Sequence, residues 1–205
     1  MTPMIQAVLF DYGGVIGRLD GEETGRLEEK YGLPKGGLLS ALYDIPQWHE
    51  IALGRSSERE WLTAVLARLY ELAGRPIPGI RRDWPKIWRG LNEDVVFLAR
   101  RLRSRYKVGL ITNATRSLDK MLAEHDGLAD LFDVVINSAR VGMAKPDVRI
   151  YHLAAERLGV PVSACVFTDD LVHNVEGALA AGMRAFHFQD AAQLEGELRA
   201  LGVEW

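Results

Sequence analysis

Six polar residues, far apart in the sequence, gather at or just beyond short apolar runs. Asp11 follows Ile5 to Phe10; Thr112 and Asn113 close Val108 to Ile111; Asp169 and Asp170 follow Cys165 to Phe167 and Thr168. Lys145 stands in Ala144-Lys145-Pro146-Asp147, between a strand candidate and a helix candidate. Proline in a first helical turn leaves Lys145 just outside that helix, free to point into a crevice. Brought together, these residues supply three carboxylates, a hydroxyl, an amide and an ammonium. Carboxylates at close range repel and raise each other's pKa unless a cation intervenes. Hard oxygen donors favour Mg²⁺, which keeps waters and takes a substrate phosphate oxygen as ligand.

The elements that must position these residues alternate in type. Strands are expected at Ile5 to Phe10, Val108 to Ile111, Val134 to Ile136, Cys165 to Phe167 and Ala185 to Phe188, as near-continuous apolar runs. Such runs suit strands buried on both faces of a parallel sheet. Helical spacing marks Asn92 to Tyr106, Asp147 to Leu158, Asn174 to Ala181 and Ala191 to Leu201; Gly159, Gly182 and Gly202 stop the last three. The alternation predicts an α/β fold, a Rossmann-like doubly wound parallel sheet with right-handed crossovers. Ligands of such sheets bind outside the carboxyl ends of the strands, where the six residues lie.

Residues 18–90 depart from this pattern, with helical periodicity and no convincing strand. Helices are expected at Thr24 to Tyr31, Gly36 to Tyr43, Ser57 to Leu72 and Arg81 to Trp88, the third opened by the capping box Ser57-Glu58-Arg59-Glu60. Trp48, Trp61, Trp84 and Trp88 fall here and are expected to form a small helical core. The predicted organisation is an α/β core from 1–17 and 91–205, with 18–90 inserted as a helical bundle. A chain of 205 residues with 48% hydrophobic and 26% charged residues can bury such a core unaided. Its 25 basic and 28 acidic residues give a net charge of −3 without long runs, so no nucleic-acid or membrane partner is expected. One cysteine, Cys165, and no basic stretch before the first apolar run fit a cytoplasmic protein, monomer or homodimer.

The motifs together resemble the haloacid dehalogenase superfamily, a group of mostly Mg²⁺-dependent phosphatases, over essentially the whole chain. The first motif appears as Val8-Leu9-Phe10-Asp11-Tyr12-Gly13-Gly14-Val15 and the second as Ile111-Thr112-Asn113. The third is Lys145-Pro146-Asp147, and the fourth Val166-Phe167-Thr168-Asp169-Asp170, followed by Asn174-Val175-Glu176-Gly177-Ala178. Gly54-Arg55-Ser56-Ser57-Glu58-Arg59-Glu60-Trp61 resembles a segment of the family's helical cap of the first type. The resemblance implies that Asp11 is the nucleophile and forms an aspartyl-phosphate, with Lys145 neutralising charge on the phosphoryl oxygens. It implies that Thr112 donates its hydroxyl to a phosphoryl oxygen and Asn113 adds a second donor to the substrate. It also implies that Asp11, Asp169, Asp170 and the carbonyl of Gly13 hold Mg²⁺, and that the partner is a small-molecule phosphate.

One departure matters. Most phosphatases of this group carry a second aspartate two residues after the nucleophile, which protonates the leaving oxygen; here that residue is Gly13. General acid–base help is typically worth 10²–10⁴-fold. Three outcomes are open: a substrate with a good leaving group, such as a sugar 1-phosphate; a proton from the cap, with Asp20, Asp44 and His49 as candidates; or a slow or non-catalytic member. The superfamily's metal-independent 2-haloacid dehalogenases form a further alternative. They carry tyrosine where Gly13 stands and lack the adjacent acidic pair seen at Asp169-Asp170.

Overall fold

The computed structural model describes residues 4–124, 127, 128 and 130–205. In chain order, the first part contains β1 (Ala7–Phe10), β2 (Gly17–Leu19), α1 (Gly21–Tyr31), α2 (Gly37–Tyr43), α3 (Pro46–Ala52), α4 (Glu58–Ala73) and α5 (Ile80–Asp83). A 3₁₀ turn, Trp84–Ile87, leads to β3 (Trp88–Leu91), α6 (Glu93–Leu102), β4 (Lys107–Thr112), α7 (Leu118–Glu124), β5 (Val134–Asn137) and α8 (Ser138–Val141). The last part contains α9 (Val148–Leu158), β6 (Cys165–Asp169), α10 (Val172–Ala180), β7 (Arg184–His187) and α11 (Ala191–Ala200).

The sheet order β5-β4-β1-β6-β7 is parallel throughout, as the apolar runs predict. All four residues of β1 are buried, because side chains alternate between two covered faces. Val8, Phe10, Val108, Leu110 and Val166 pack on one face with α6 and α11. Ala7, Leu9, Ile111, Cys165 and Phe167 pack on the other with α9 and α10. Burial pushes the Cys165 thiol up to about 12, so it is inert at neutral pH. Phe10 stands level with Leu110 and Thr168, so β1, β4 and β6 point their carboxyl ends the same way, β4 running two residues further and β6 one. Their last residues therefore open onto one crevice.

A third core lies wholly within the inserted segment, from Leu27 to Ile87. Leu27, Leu38, Leu69, Ile77, Ile80 and Ile87 are fully buried there. Each contributes about 1.5–3 kcal/mol relative to exposure. Two buried carboxylates organise the polar side of this core. Glu28 accepts from the backbone N–H groups of Gly36 and Leu38, both at 3.1 Å, capping α2, whose own N-cap is a glycine. Asp83 accepts from Lys30, Tyr31 (2.6 Å), Arg82 (3.1 Å) and Lys86 (3.0 Å). The Ser57 capping box forms as expected, Ser57 bonding Glu60 N and the Glu60 carboxylate bonding Ser57 N.

Several elements differ from the sequence expectation. Residues 18–90 do contain strands: β2 pairs antiparallel with β3, Leu19 opposite Trp88, at the two crossings between core and insert. The expected helix over Arg81 to Trp88 is instead α5, a 3₁₀ turn and the start of β3; Pro85 removes the N–H that a continuing helix would need. Trp84 is buried, Trp48 and Trp61 are half-buried, and Trp88 is 40% exposed on β3 and outside the third core. Short α3, α7 and α8 lie where no helix was expected. Among the described residues, no helix is long and apolar enough to cross a membrane.

Candidate active site

Four charged side chains meet beyond β1 and β6. The Lys145 ammonium stands 2.7 Å from Asp11 Oδ1 and 2.6 Å from Asp169 Oδ2, with all three side chains buried. Asp169 Oδ1 accepts from the backbone N–H of Leu171 (2.9 Å) and from the Asn174 amide (3.0 Å). These bonds use three of the roughly four acceptor sites of a carboxylate, which leaves one open. Asp11 Oδ1 also accepts from the backbone N–H of Tyr12 at 2.7 Å, and among the described residues none donates to its Oδ2. Asp170 packs against Gly14: a Cβ there would lie 2.2 Å from Asp170 Oδ2, and Gly14 has φ +78°. Glycine both permits that turn and admits the carboxylate.

Asp11, Asp169 and Asp170 each place an oxygen within 4.8 Å of the others. Three carboxylates against one ammonium leave a formal excess of two negative charges. Burial raises the Asp11 carboxyl to about 7, Lys145 opposing and Asp169 and Asp170 adding to the shift. Burial also raises Asp170, with Asp169 adding and Lys145 opposing. Burial works against the Lys145 ammonium, but Asp11 and Asp169 outweigh it and hold its pKa above the ordinary value. The all-oxygen donor set and its excess charge fit Mg²⁺, which is commonly held by one or two carboxylates plus water and phosphate oxygens. Among the described residues none donates to Asn174 Oδ1, which is buried beside Asp169.

Thr112 is buried at the end of β4, level with Asn137 of β5. The Asn113 side chain is engaged by the backbone of Lys145. Its amide donates to the Lys145 carbonyl (2.9 Å), and its carbonyl accepts from the Lys145 N–H (2.8 Å). It holds the lysine turn from both sides. Gly177 supports the same turn, since a Cβ on α10 would lie 2.5 Å from the Pro146 carbonyl oxygen. Gly13 is open: a Cβ there would meet nothing within 4 Å.

The three proton-donor candidates of residues 18–90 have these surroundings. Asp20 caps α1 through Glu22 N and Glu23 N, both 3.0 Å, and pairs with Arg89 at 3.1 Å. The Glu23 N–H and the Arg89 charge hold its carboxyl below the ordinary value, so it stays ionised. Asp44 and His49 are exposed. Tyr43, the last residue of α2, is half-buried, and burial, then the charges of Asp11 and Asp170, holds its pKa above the ordinary phenol value.

The insert rests on the core beside this crevice. Thr115 donates to Glu58 (2.8 Å), and Arg116 donates to the Gly54 carbonyl (3.2 Å). Gly54, with φ +70°, comes so close that a Cβ would lie 2.3 Å from the Ala139 carbonyl oxygen. Asn137 and Ser138 hold the core side of this contact, through Thr115 O (2.9 Å) and Ala114 N (3.1 Å).

A buried acidic crevice at the carboxyl ends of a five-stranded parallel sheet, served by one lysine, defines a hydrolase of the Rossmann-like class. Residues 5–182 match the family model of the haloacid dehalogenase-like hydrolases, and the chain belongs to that family. It is 35% identical over 212 residues to a phosphatase of Mycobacterium tuberculosis, MT3486, covering 96% of this chain and 94% of that one. A HAD-like family hydrolase from Porphyromonas gingivalis superposes with a TM-score of 0.73 at 21% identity, covering 99% of this chain and 100% of that one. A HAD family enzyme from Bacteroides thetaiotaomicron, solved with magnesium and inorganic phosphate, superposes with a TM-score of 0.66 at 22% identity, covering 91% and 95%.

Proposed function

We propose that this hydrolase is a Mg²⁺-dependent phosphatase that cleaves a small phosphate monoester through an aspartyl-phosphate on Asp11. The observation that carries the reading is Lys145 lodged between Asp11 and Asp169, with Asp170 beside them. Asp11, Asp169, Asp170 and the Gly13 carbonyl would hold the metal. When bound, Mg²⁺ supplies charge withdrawal from the phosphoryl oxygens.

The chain's own residues do the rest. Asp11 Oδ2 is the nucleophile, its other oxygen tied to Tyr12 N and Lys145 so that the carboxylate cannot rotate freely. Lys145 adds positive charge at the phosphoryl group, and Thr112 offers its hydroxyl to a phosphoryl oxygen. Such catalysis is positioning and electrostatics. Residues 18–90 act as a cap over a core of 1–17 and 91–205, excluding water and choosing the alcohol. The phosphatase from Mycobacterium tuberculosis, similar over nearly the full length of both chains, supports this reading. The acidic excess weighs against a metal-independent dehalogenase, because without a cation the three carboxylates repel.

The test is phosphate release from a panel of small phosphate esters, with magnesium and with chelator. Release should require magnesium and fall by at least about 10³-fold in Asp11→Asn. Chelator-insensitive halide release from a 2-haloacid would overturn the reading.

A further inference from the structure

Lys145 and Asp169 meet at 2.6 Å, yet they belong to segments that lead into different helices. Lys145 stands just before α9, and Asp169 accepts from Asn174 in the first turn of α10. Asn174 is buried, and among the described residues its side chain makes only the 3.0 Å bond to Asp169. An amide held at one point takes its aim from its own backbone. That backbone is tied in turn. The Tyr151 hydroxyl, from the first turn of α9, donates to the Asn174 carbonyl at 2.7 Å. Tyr151 is fully buried, and its ring stands edge-on to Phe167 with centroids 5.5 Å apart. The Lys145 ammonium lies 5.3 Å from the centre of the same Phe167 ring. These contacts close a circuit, from Lys145 through Asp169, Asn174, Tyr151 and Phe167 back to Lys145. Gly177, farther along α10, joins the two helices a second time by its close approach to Pro146.

We infer that Tyr151 is a positioning residue for this site, its hydroxyl clamping α9 to α10 so that Lys145 and Asp169 stay in register. The inference rests on the phosphatase reading above. Packing against Phe167 asks only for the ring; a buried hydroxyl is costly unless it is bonded, so the oxygen is accounted for by its bond to α10. Asp169 Oδ1 has two donors, the Leu171 N–H and the Asn174 amide, and Oδ2 rests on Lys145. When α10 drifts from α9, the Asn174 amide leaves Oδ1 and the carboxylate turns about the donors that remain. Both the metal-binding oxygen and the lysine contact then lose their places. Tyr151 touches neither carboxylate in this circuit; it acts through Asn174. Partners that orient a metal ligand are commonly worth 10–100-fold in metal affinity or activity, and Tyr151 stands one step behind such a partner.

The experiment measures magnesium affinity by titration calorimetry, without substrate, and kcat and KM at saturating magnesium. It uses wild type, Tyr151→Phe, Asn174→Ala and the double variant. Phenylalanine keeps the ring against Phe167, and circular dichroism checks the fold. Tyr151→Phe should weaken magnesium binding and lower kcat, each by about 10-fold, with KM little changed. Asn174→Ala should lose at least as much. Adding Tyr151→Phe to it should cost less than about twofold more, because residues that act through one another are not additive. Tyr151→Phe with magnesium affinity and kcat unchanged, whatever its melting temperature, overturns the role of Tyr151 and leaves the phosphatase reading standing. Fully additive losses in the double variant overturn it too. If the wild type shows no magnesium-dependent phosphate release, or Asp11→Asn keeps it, the phosphatase reading fails and the Tyr151 role with it.

Discussion

Asn113 and Lys145 are joined by a reciprocal pair of hydrogen bonds, side-chain amide to backbone carbonyl and backbone N–H to side-chain carbonyl. The pair ties the loop after β4 to the turn that carries the lysine. Lys145 reaches two carboxylates at 2.7 and 2.6 Å, so a small shift of its backbone breaks both contacts. Asn113→Ala should therefore lower kcat between about 10- and 100-fold with KM little changed, since sub-ångström misplacement of catalytic groups is costly. Steady-state kinetics on the best substrate checks this. A raised KM with kcat intact would instead return Asn113 to the substrate-binding role its sequence position implied.

Gly14 and Asp170 give a second prediction. Alanine at position 14 meets both a left-handed backbone and the Asp170 carboxylate at 2.2 Å. The backbone alone costs about 1–2 kcal/mol, and the carboxylate must move. Gly14→Ala should fold with a lowered melting temperature and lose most of the stabilisation that added magnesium confers. Gly13→Ala, which enters open space, should keep the melting temperature of the magnesium-free protein. Thermal melts with and without magnesium read both effects. Equal magnesium stabilisation in Gly14→Ala and wild type would remove Asp170 from the metal site.

The helical segment around Asp83 carries a pH dependence of its own. Hydrogen bonds from Lys30, then Tyr31, Arg82 and Lys86, hold the Asp83 carboxyl far below its ordinary value of 3.8. The unfolded chain therefore takes up this proton at a higher pH than the folded one. The resulting stability is fully present above the unfolded value and is lost as pH falls towards the folded value. Asp83→Asn should lower the melting temperature at pH 7, and the gap from wild type should narrow as pH drops below about 4. A gap that stays constant with pH would mean that Asp83 acts by shape alone.

Much of the core was legible because buried parallel strands write themselves as apolar runs that end in polar residues. Asp11, Thr112 and Asp169 stand at such ends, and the pairing of β1 with β6 brings Asp11 and Asp169 to the same end of the sheet. The partners that orient them were less legible. Asn113 and Gly177 act on the Lys145 turn through contacts that span 32 residues and a helix-to-turn approach, and neither follows a local pattern. Strands β2 and β3 were missed because a pair only three and four residues long carries too little alternation to read.

The central claim is that phosphorus becomes bonded to Asp11. Wild-type protein mixed with a turned-over phosphate ester, quenched in acid within the first turnovers and mapped by peptide mass spectrometry, tests it most directly. The account predicts one phosphoryl group on the peptide containing Asp11, formed with magnesium, absent with chelator and absent in Asp11→Asn. Phosphate release that proceeds while Asp11 stays unmodified at every quench time, or a phosphoryl group found on another residue, would contradict it.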